Sequence, residues 1–304
     1  MTIGGPVIAE SGILIVDKPA GLTSHDVVAR VRKARGIRRV GHAGTLDPDA
    51  TGVLVVGVGG ATRLLGYLAG SDKEYRARIV LGASTVTDDA SGEVTDEVDA
   101  SGLGAERIAA EAAVLTGDIL QRPSAVSAVR QGGRRAYDRV RAGEQVDLAP
   151  RPVHVEAFDI LALASGGPGR LALEVRVVCS SGTFVRALAR DLGAALGVGG
   201  HVGELRRTRS GDFTEGEAID LEAVAASALL PAGVAARRSL PHRELPPGIA
   251  GQVRQGVRVT WPGPPSTSDE VVALLEGADL VALARDDAGL ARYAAVFPGG
   301  EARG

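Results

Sequence analysis

Apolar positions in this chain come as short runs and alternations. Gly12 to Asp17 (GILIVD) reads as a buried strand that stops at Lys18-Pro19. Thr23 followed three residues later by Asp26 forms a capping box. Val27, Val28 and Val31 then recur at helical spacing, which predicts a helix from His25 to Ala34, stopped by Gly36. Val53 to Val58 reads as a second buried strand and Thr62 to Leu68 as a short helix. Lys73 to Leu81 alternates and predicts a half-buried strand. Residues 82–105 are acidic and loop-like, Arg107 to Leu115 is helical, Gln121 opens an irregular stretch, and Tyr137 to Ala142 is a short helix. Val153 to Leu163 and Leu171 to Cys179 form a hairpin across Gly166-Gly167-Pro168-Gly169. Thr183 to Leu196 is helical up to Gly197, and Leu221 to Leu230 is a further helix.

Pro231 to Pro247 is rich in Pro and Arg, has no period, and is taken as a linker. Beyond it, Val253, Val257 and Val259, then Val271 to Leu274, Leu280 to Leu283 and Tyr293 to Phe297, read as short strands of a small β-rich domain. Strands and helices interleave without a regular β-α-β repeat. The class expected is therefore α+β rather than a doubly wound sheet.

The chain has 304 residues, 45% of them hydrophobic, enough for a sizeable core. Its first residues carry no basic region and no long apolar run, and no segment reaches the roughly 18 apolar residues of a membrane span. One cysteine, Cys179, allows no internal disulfide and no cysteine-based zinc site. A cytoplasmic protein is expected. The net charge is −3, which gives nucleic-acid binding no support, but the charge is unevenly spread. Arg30, Arg32, Lys33, Arg35, Arg38 and Arg39 form one acid-free basic segment. Arg130, Arg134, Arg135, Arg139 and Arg141 form a second, and Arg206, Arg207 and Arg209 a third. They are read either as solvated faces or as a footprint for a polyanion.

Residues 41–52 (GHAGTLDPDATG) are the most informative stretch. Three glycines permit close backbone approach. Pro48 holds Asp47 extended, so its carboxylate can point outward. Asp47 is either a turn cap or a reactive carboxylate. Tyr75 shares a strand face with Ala77 and Ile79. Taken alone, Arg186 reads as an exposed helical arginine, His42 as a hydrogen-bonded loop histidine, Lys18 as a solvated strand end and Leu205 as a core leucine.

The 41–52 segment resembles the signature of the bacterial tRNA pseudouridine-55 synthases, the TruB family. Other blocks agree in order: Gly12 to Pro19 with Gly21 to Ser24, Lys73-Glu74-Tyr75, Arg122-Pro123-Ser124 with Ser127-Ala128, Arg135-Ala136-Tyr137, Ser181 to Arg186, and Leu205 to Thr208. The resemblance covers residues 12 to about 232. It implies a pseudouridine synthase catalytic domain at 1–240, with a mixed, mainly antiparallel sheet, and a loosely similar PUA-like domain at 241–304. There Trp261 and Arg254 or Arg258 could face RNA, though each reads more readily as a core or solvated residue.

The reaction it implies breaks the C1′–N1 bond of a uridine and forms C1′–C5, without cofactor or metal. Asp47 is implied as the catalytic carboxylate, attacking C1′ or assisting loss of a ribose proton. Arg186 would keep Asp47 ionised and orient it. Tyr75 would stack on the base and help remove the C5 proton. His42 would fill the gap left by the flipped uridine. Lys18, Phe184 and Leu205 would complete the pocket. Phe184 stands where many relatives carry Tyr, and so lacks a hydroxyl. Val126 stands in place of a usual aromatic, and Arg130 in place of a common Lys. The partner implied is the T-arm of tRNA, bound by a monomer, without membrane, DNA or guide RNA.

Two other readings remain. A chaperone that opens the tRNA elbow would need His42 and the arginines but not Asp47. A synthase could also act on another RNA within an RNA-guided assembly, as archaeal and eukaryotic relatives do.

Overall fold

Thr23 caps the first helix as its spacing predicts. In a computed structural model of the chain its hydroxyl accepts the Asp26 N–H at 3.1 Å, and the Asp26 carboxylate accepts the Thr23 N–H at 2.9 Å. Gly36 ends the helix in the left-handed region (φ 66°). The structure describes residues 10–299 except 128–129, 132–133, 136–138, 140–143, 145–147 and 266–268. The helix expected at 137–142 lies outside the described residues apart from Arg139, and so do the side chains of Arg130, Arg134 and Arg135.

In chain order the elements are β1 (Gly12–Lys18), α1 (Ser24–Arg35), β2 (Val40–Ala43), β3 (Thr51–Val58), α2 (Leu65–Leu68), β4 (Lys73–Leu81), β5 (Ala83–Thr85), β6 (Val94–Glu97), α3 (Ala105–Val114), β7 (Gly117–Gln121), β8 (Arg130–Gln131), β9 (Arg134–Arg135), β10 (Arg151–Gly167), β11 (Arg170–Cys179), α4 (Val185–Leu196), β12 (Gly200–Ser210), β13 (Phe213–Thr214), β14 (Ile219–Asp220), α5 (Ala232–Ser239), β15 (His242–Glu244), α6 (Ala250–Arg254), β16 (Val272–Glu276), β17 (Asp279–Asp287) and β18 (Leu290–Val296). Most strand pairs are antiparallel, and β1–β14 and β15–β16 are parallel. The class is α+β with a mainly antiparallel sheet.

By compactness the chain forms two units. One holds Met1–Pro48, Gly52–Ser71 and Gly211–Gly304; the other holds Asp49–Thr51 and Asp72–Ser210. In the first, β1 and β3 are apolar at nearly every position because both of their faces are covered. Ile13, Ile15, Val53 and Val55 enter one core with Ala235, Ala236, Leu275, Leu283 and Phe297. Leu14, Val16, Leu54 and Val56 enter the other with Val27, Val28 and Val31 of α1. Each fully buried Val or Leu contributes about 1.5–3 kcal/mol. Strands β15–β18 form a sheet of their own within this unit.

In the second unit the strand order is β12-β4-β11-β10-β7. Helix α4 packs close to β12 because Gly193 has no side chain: a Cβ there would lie 2.2 Å from the backbone of Gly199 and Gly200.

Several expectations are corrected. The supposed linker contains α5, whose Ala235 and Ala236 are fully buried; small residues hid an apolar face. The acidic stretch 82–105 holds the β5–β6 hairpin, and β6 reads as loop because all four of its residues are exposed. Strand β12 was overlooked since its charged residues break the alternation. Only a 3₁₀ turn, Leu221–Ala225, forms where a helix to Leu230 was expected. Val253 lies in α6 rather than a strand, buried with Ala250 one turn before it. Among the described residues no helix is long and apolar enough to cross a membrane.

Candidate active site

Asp47 is half-buried in the middle of the loop between β2 and β3. The backbone on either side of it is gripped by buried side chains. The Ser24 hydroxyl, fully buried in the first turn of α1, accepts the Leu46 N–H at 2.9 Å and lies 3.1 Å from the Leu46 carbonyl, to which it donates. One hydroxyl thereby satisfies both backbone groups of residue 46, much as a neighbouring strand would. On the other side, the Pro48 carbonyl accepts the Gly21 N–H at 3.0 Å and Lys18 Nζ at 2.8 Å. Lys18 is also fully buried, and its ammonium donates to the carbonyls of Pro19 and Leu22. It is no solvated strand end. Three carbonyl acceptors compensate for its burial and tie the turn after β1 to the loop of Asp47.

His42 lies on β2 opposite Val56, half-buried. The ring of His25, exposed at the start of α1, meets it edge to face with centroids 5.4 Å apart.

The remaining candidates belong to the second unit. Tyr75 is buried on β4 (9% exposed), between Val177 of β11 and Arg207 of β12. Leu205 is opposite Ala77 on the same face and is half-exposed, which sets it outside the core. Two positions from Tyr75, Lys73 is also buried. Burial, and next the charge of Arg207, push its ammonium down to about 8. The neighbouring Cys179 thiol is pushed up to about 11, chiefly by burial.

Arg186 is buried near the start of α4 (5% exposed). The guanidinium donates to the Thr87 carbonyl at 2.9 Å and lies 3.2 Å from the Asp89 carboxylate. Asp89 is held in turn by the hydroxyls of Thr87 and Ser91, both at 2.6 Å. One turn along α4, Arg190 pairs with Asp88 at 3.1 Å. Two arginines on one helical face thus brace consecutive carboxylates of a single loop.

Phe184 precedes α4 and is fixed by Gln121. The amide of that fully buried residue accepts the Phe184 N–H at 2.8 Å and donates to the Phe184 carbonyl at 3.1 Å. The preceding turn, Ser180 to Thr183, needs Gly182 at its third position (φ 88°).

Sequence reasoning missed Ser24, Gln121 and Asp89. No local signal marked any of the three. For three C-terminal residues sequence reasoning weighed RNA contact against a core or solvated role and favoured the latter. Trp261 is a core residue whose indole N–H donates to the Pro264 carbonyl, Arg254 pairs with Glu276, and Arg258 with Asp287.

Two family models match consecutive parts of the chain. Residues 32–185 match the N-terminal domain of TruB family pseudouridylate synthases. Residues 186–240 match the C-terminal domain of tRNA pseudouridylate synthase B. The chain belongs to the TruB family. Within this family member the first match contains His42, Asp47, Tyr75 and Phe184, the second contains Arg186 and Leu205, and Lys18 precedes both.

The chain is 49% identical over 295 residues to tRNA pseudouridine synthase B of Arthrobacter sp. (strain FB24), covering 94% of this chain and 96% of that protein. To the protein of that name from Nocardia farcinica (strain IFM 10152) it is 53% identical over 274 residues, 90% and 88% of the two chains. Its fold resembles that of a chain in an H/ACA RNP bound to a substrate RNA containing 2′-deoxyuridine. The TM-score is 0.73 at 26% identity, over 95% of this chain and 85% of that one.

Proposed function

We propose that this family member isomerises uridine to pseudouridine at position 55 of tRNA, in the T-loop, with Asp47 as the catalytic carboxylate. The observation that carries this reading is the loop of Asp47. In a chain of a pseudouridylate synthase family, the carboxylate sits between two backbone grips, Ser24 on residue 46 and Lys18 on residue 48. Such fixing of the flanking backbone holds a reacting group at a defined place.

Asp47 acts at C1′ of the target nucleotide, by attack on the sugar or by assisting removal of a ribose proton; both routes release N1. The base turns over, C5 bonds to C1′, C5 loses its proton and N1 gains one, so atoms balance without an oxidant or a co-reactant. Tyr75 stacks on the base, Arg186 orients the carboxylate, His42 occupies the gap left in the loop, and Lys18, Phe184 and Leu205 shape the pocket. Extrusion of the base makes these contacts possible. The exposed Arg30, Lys33 and Arg38 of the first basic segment supply phosphate attraction. The protein works in the cytoplasm as a monomer on tRNA alone.

The test is tritium release from a tRNA transcript carrying [5-³H]uridine. The proposal predicts release of one equivalent per tRNA by the unmodified chain and none by Asp47→Asn. Full release by Asp47→Asn would remove Asp47 from the chemistry.

A further inference from the structure

Arg151 opens β10, and its guanidinium lies over the ring of Phe184, with 4.9 Å from the guanidinium carbon to the ring centroid. Its Nη2 donates to the Gly182 carbonyl at 2.5 Å. These two contacts fix the plane of the guanidinium against the Ser180–Thr183 turn, itself pinned to β10 by the Ser180 N–H on the His154 carbonyl. Among the described residues no carboxylate lies within ion-pair distance of Arg151. Its Nε is buried without a hydrogen-bond partner, and its Nη1 meets no acceptor among the described residues. Burial disfavours the charge here. By contrast Arg176, Arg186, Arg190, Arg237 and Arg258 each face a carboxylate. A half-buried guanidinium, oriented by stacking and by one carbonyl yet lacking an anion, is placed to receive one.

We infer that Arg151 and Phe184 form a composite subsite for RNA, in which the end-on edge of the guanidinium takes a backbone phosphate of the RNA beside Phe184. Arginine suits this role because its plane can stack while its edge hydrogen-bonds to phosphate oxygens. The subsite also gives the Phe at 184 a function that needs no hydroxyl: the ring orients the cation. The inference rests on the proposed RNA substrate, and its test is kept separate from turnover.

The experiment measures binding of the full chain to a fluorescent T-arm stem-loop by anisotropy, over a series of salt concentrations, for the unmodified chain, Arg151→Gln and Arg151→Lys. Loss of one phosphate contact should weaken Arg151→Gln by roughly 5- to 10-fold and flatten the dependence of log K on log salt by about 0.7–1. Arg151→Lys retains the charge and should keep the slope, with a smaller loss of affinity. Unchanged affinity and slope in Arg151→Gln would overturn the inference. So would lower affinity at unchanged slope, since that outcome makes Arg151 a brace for the Gly182 turn rather than a phosphate contact. If Arg151→Gln does not fold, Arg151→Lys decides: a lower affinity at kept slope would support the inference, and an unchanged affinity, or a slope flattened although the charge is retained, would overturn it. Binding that follows these expectations without pseudouridine formation by the unmodified chain would sink the proposed function and leave the subsite standing.

Discussion

Asp47 and Arg186 are positioned by opposite means. Around Asp47 the scaffold holds backbone: Ser24 pairs with both groups of residue 46, and Lys18 and Gly21 hold the carbonyl of residue 48. Around Arg186 it holds the side chain itself, through the Thr87 carbonyl and the Asp89 carboxylate. The contrast separates chemistry from fastening. At position 47 the backbone anchors named above do not involve the carboxylate; at position 186 the guanidinium is itself a structural strut.

The sharpest break of this comparison is Asp47→Asn. It should lower pseudouridine formation by more than about 1,000-fold, the scale of losing a reacting group, while thermal and urea unfolding stay within about 0.5 kcal/mol of the parent. A large loss of stability would show that the carboxylate is itself a fastening.

Arg186→Lys should cost both. The ammonium keeps its charge but loses the planar guanidinium, whose Nη1 serves both the Thr87 carbonyl and the Asp89 carboxylate. Activity should fall roughly 100-fold and stability by about 1–3 kcal/mol, read from single-turnover kinetics and urea unfolding of one preparation. Normal stability with lost activity would make the strut dispensable.

Ser24→Ala removes one of the two grips on the Asp47 loop without touching its carboxylate. The Leu46 N–H is left buried without its hydroxyl partner, at about 1–3 kcal/mol. The rate constant should fall about tenfold through misplacement, with KM little changed, because Ser24 makes no substrate contact in this account. A change confined to KM would contradict that assignment.

The smallest effect concerns Lys73, on the same strand face as Tyr75. Burial and Arg207 hold its ammonium at about 8 when folded, against an ordinary value of 10.5. Between those values the unfolded chain binds the extra proton, so stability rises as pH increases from about 8. Cys179, raised from 9.0 to about 11, acts in the reverse sense above pH 9, where the folded chain retains its proton. The interval from pH 8 to 9 therefore isolates Lys73. Urea titrations should show a gain of about 1 kcal/mol across it, absent in Lys73→Met. A flat profile in the parent chain would mean that the lysine keeps its ordinary proton affinity.

How much of this was legible in the sequence follows from the range of the interactions. The capping box of Thr23 and Asp26 was readable because its partners are three residues apart, and β1 and β3 because doubly covered strands leave apolar runs. The hairpin of β10 and β11 was readable from Pro168-Gly169 between alternating segments. Asp47 stood out for its glycines and proline, and the family resemblance assigned it a role. The grips were not readable. Ser24 looks like any turn residue, and its partner Leu46 is 22 positions away. Asp89 sits in an acidic stretch that reads as solvated until α4 brings Arg186 to it. Gln121 pairs with Phe184 across 63 positions. Strand β12 failed the alternation test because Arg207, fully buried, breaks the expected polarity of a core position.

The central claim is tested most directly by mapping pseudouridines at single-nucleotide resolution in an unmodified tRNA transcript after incubation with the purified chain. The account predicts one new pseudouridine, at position 55 in the T-loop, and none in a transcript carrying cytidine there. A product at another position, or intact uridine 55 in tRNA that the protein demonstrably binds, would contradict it.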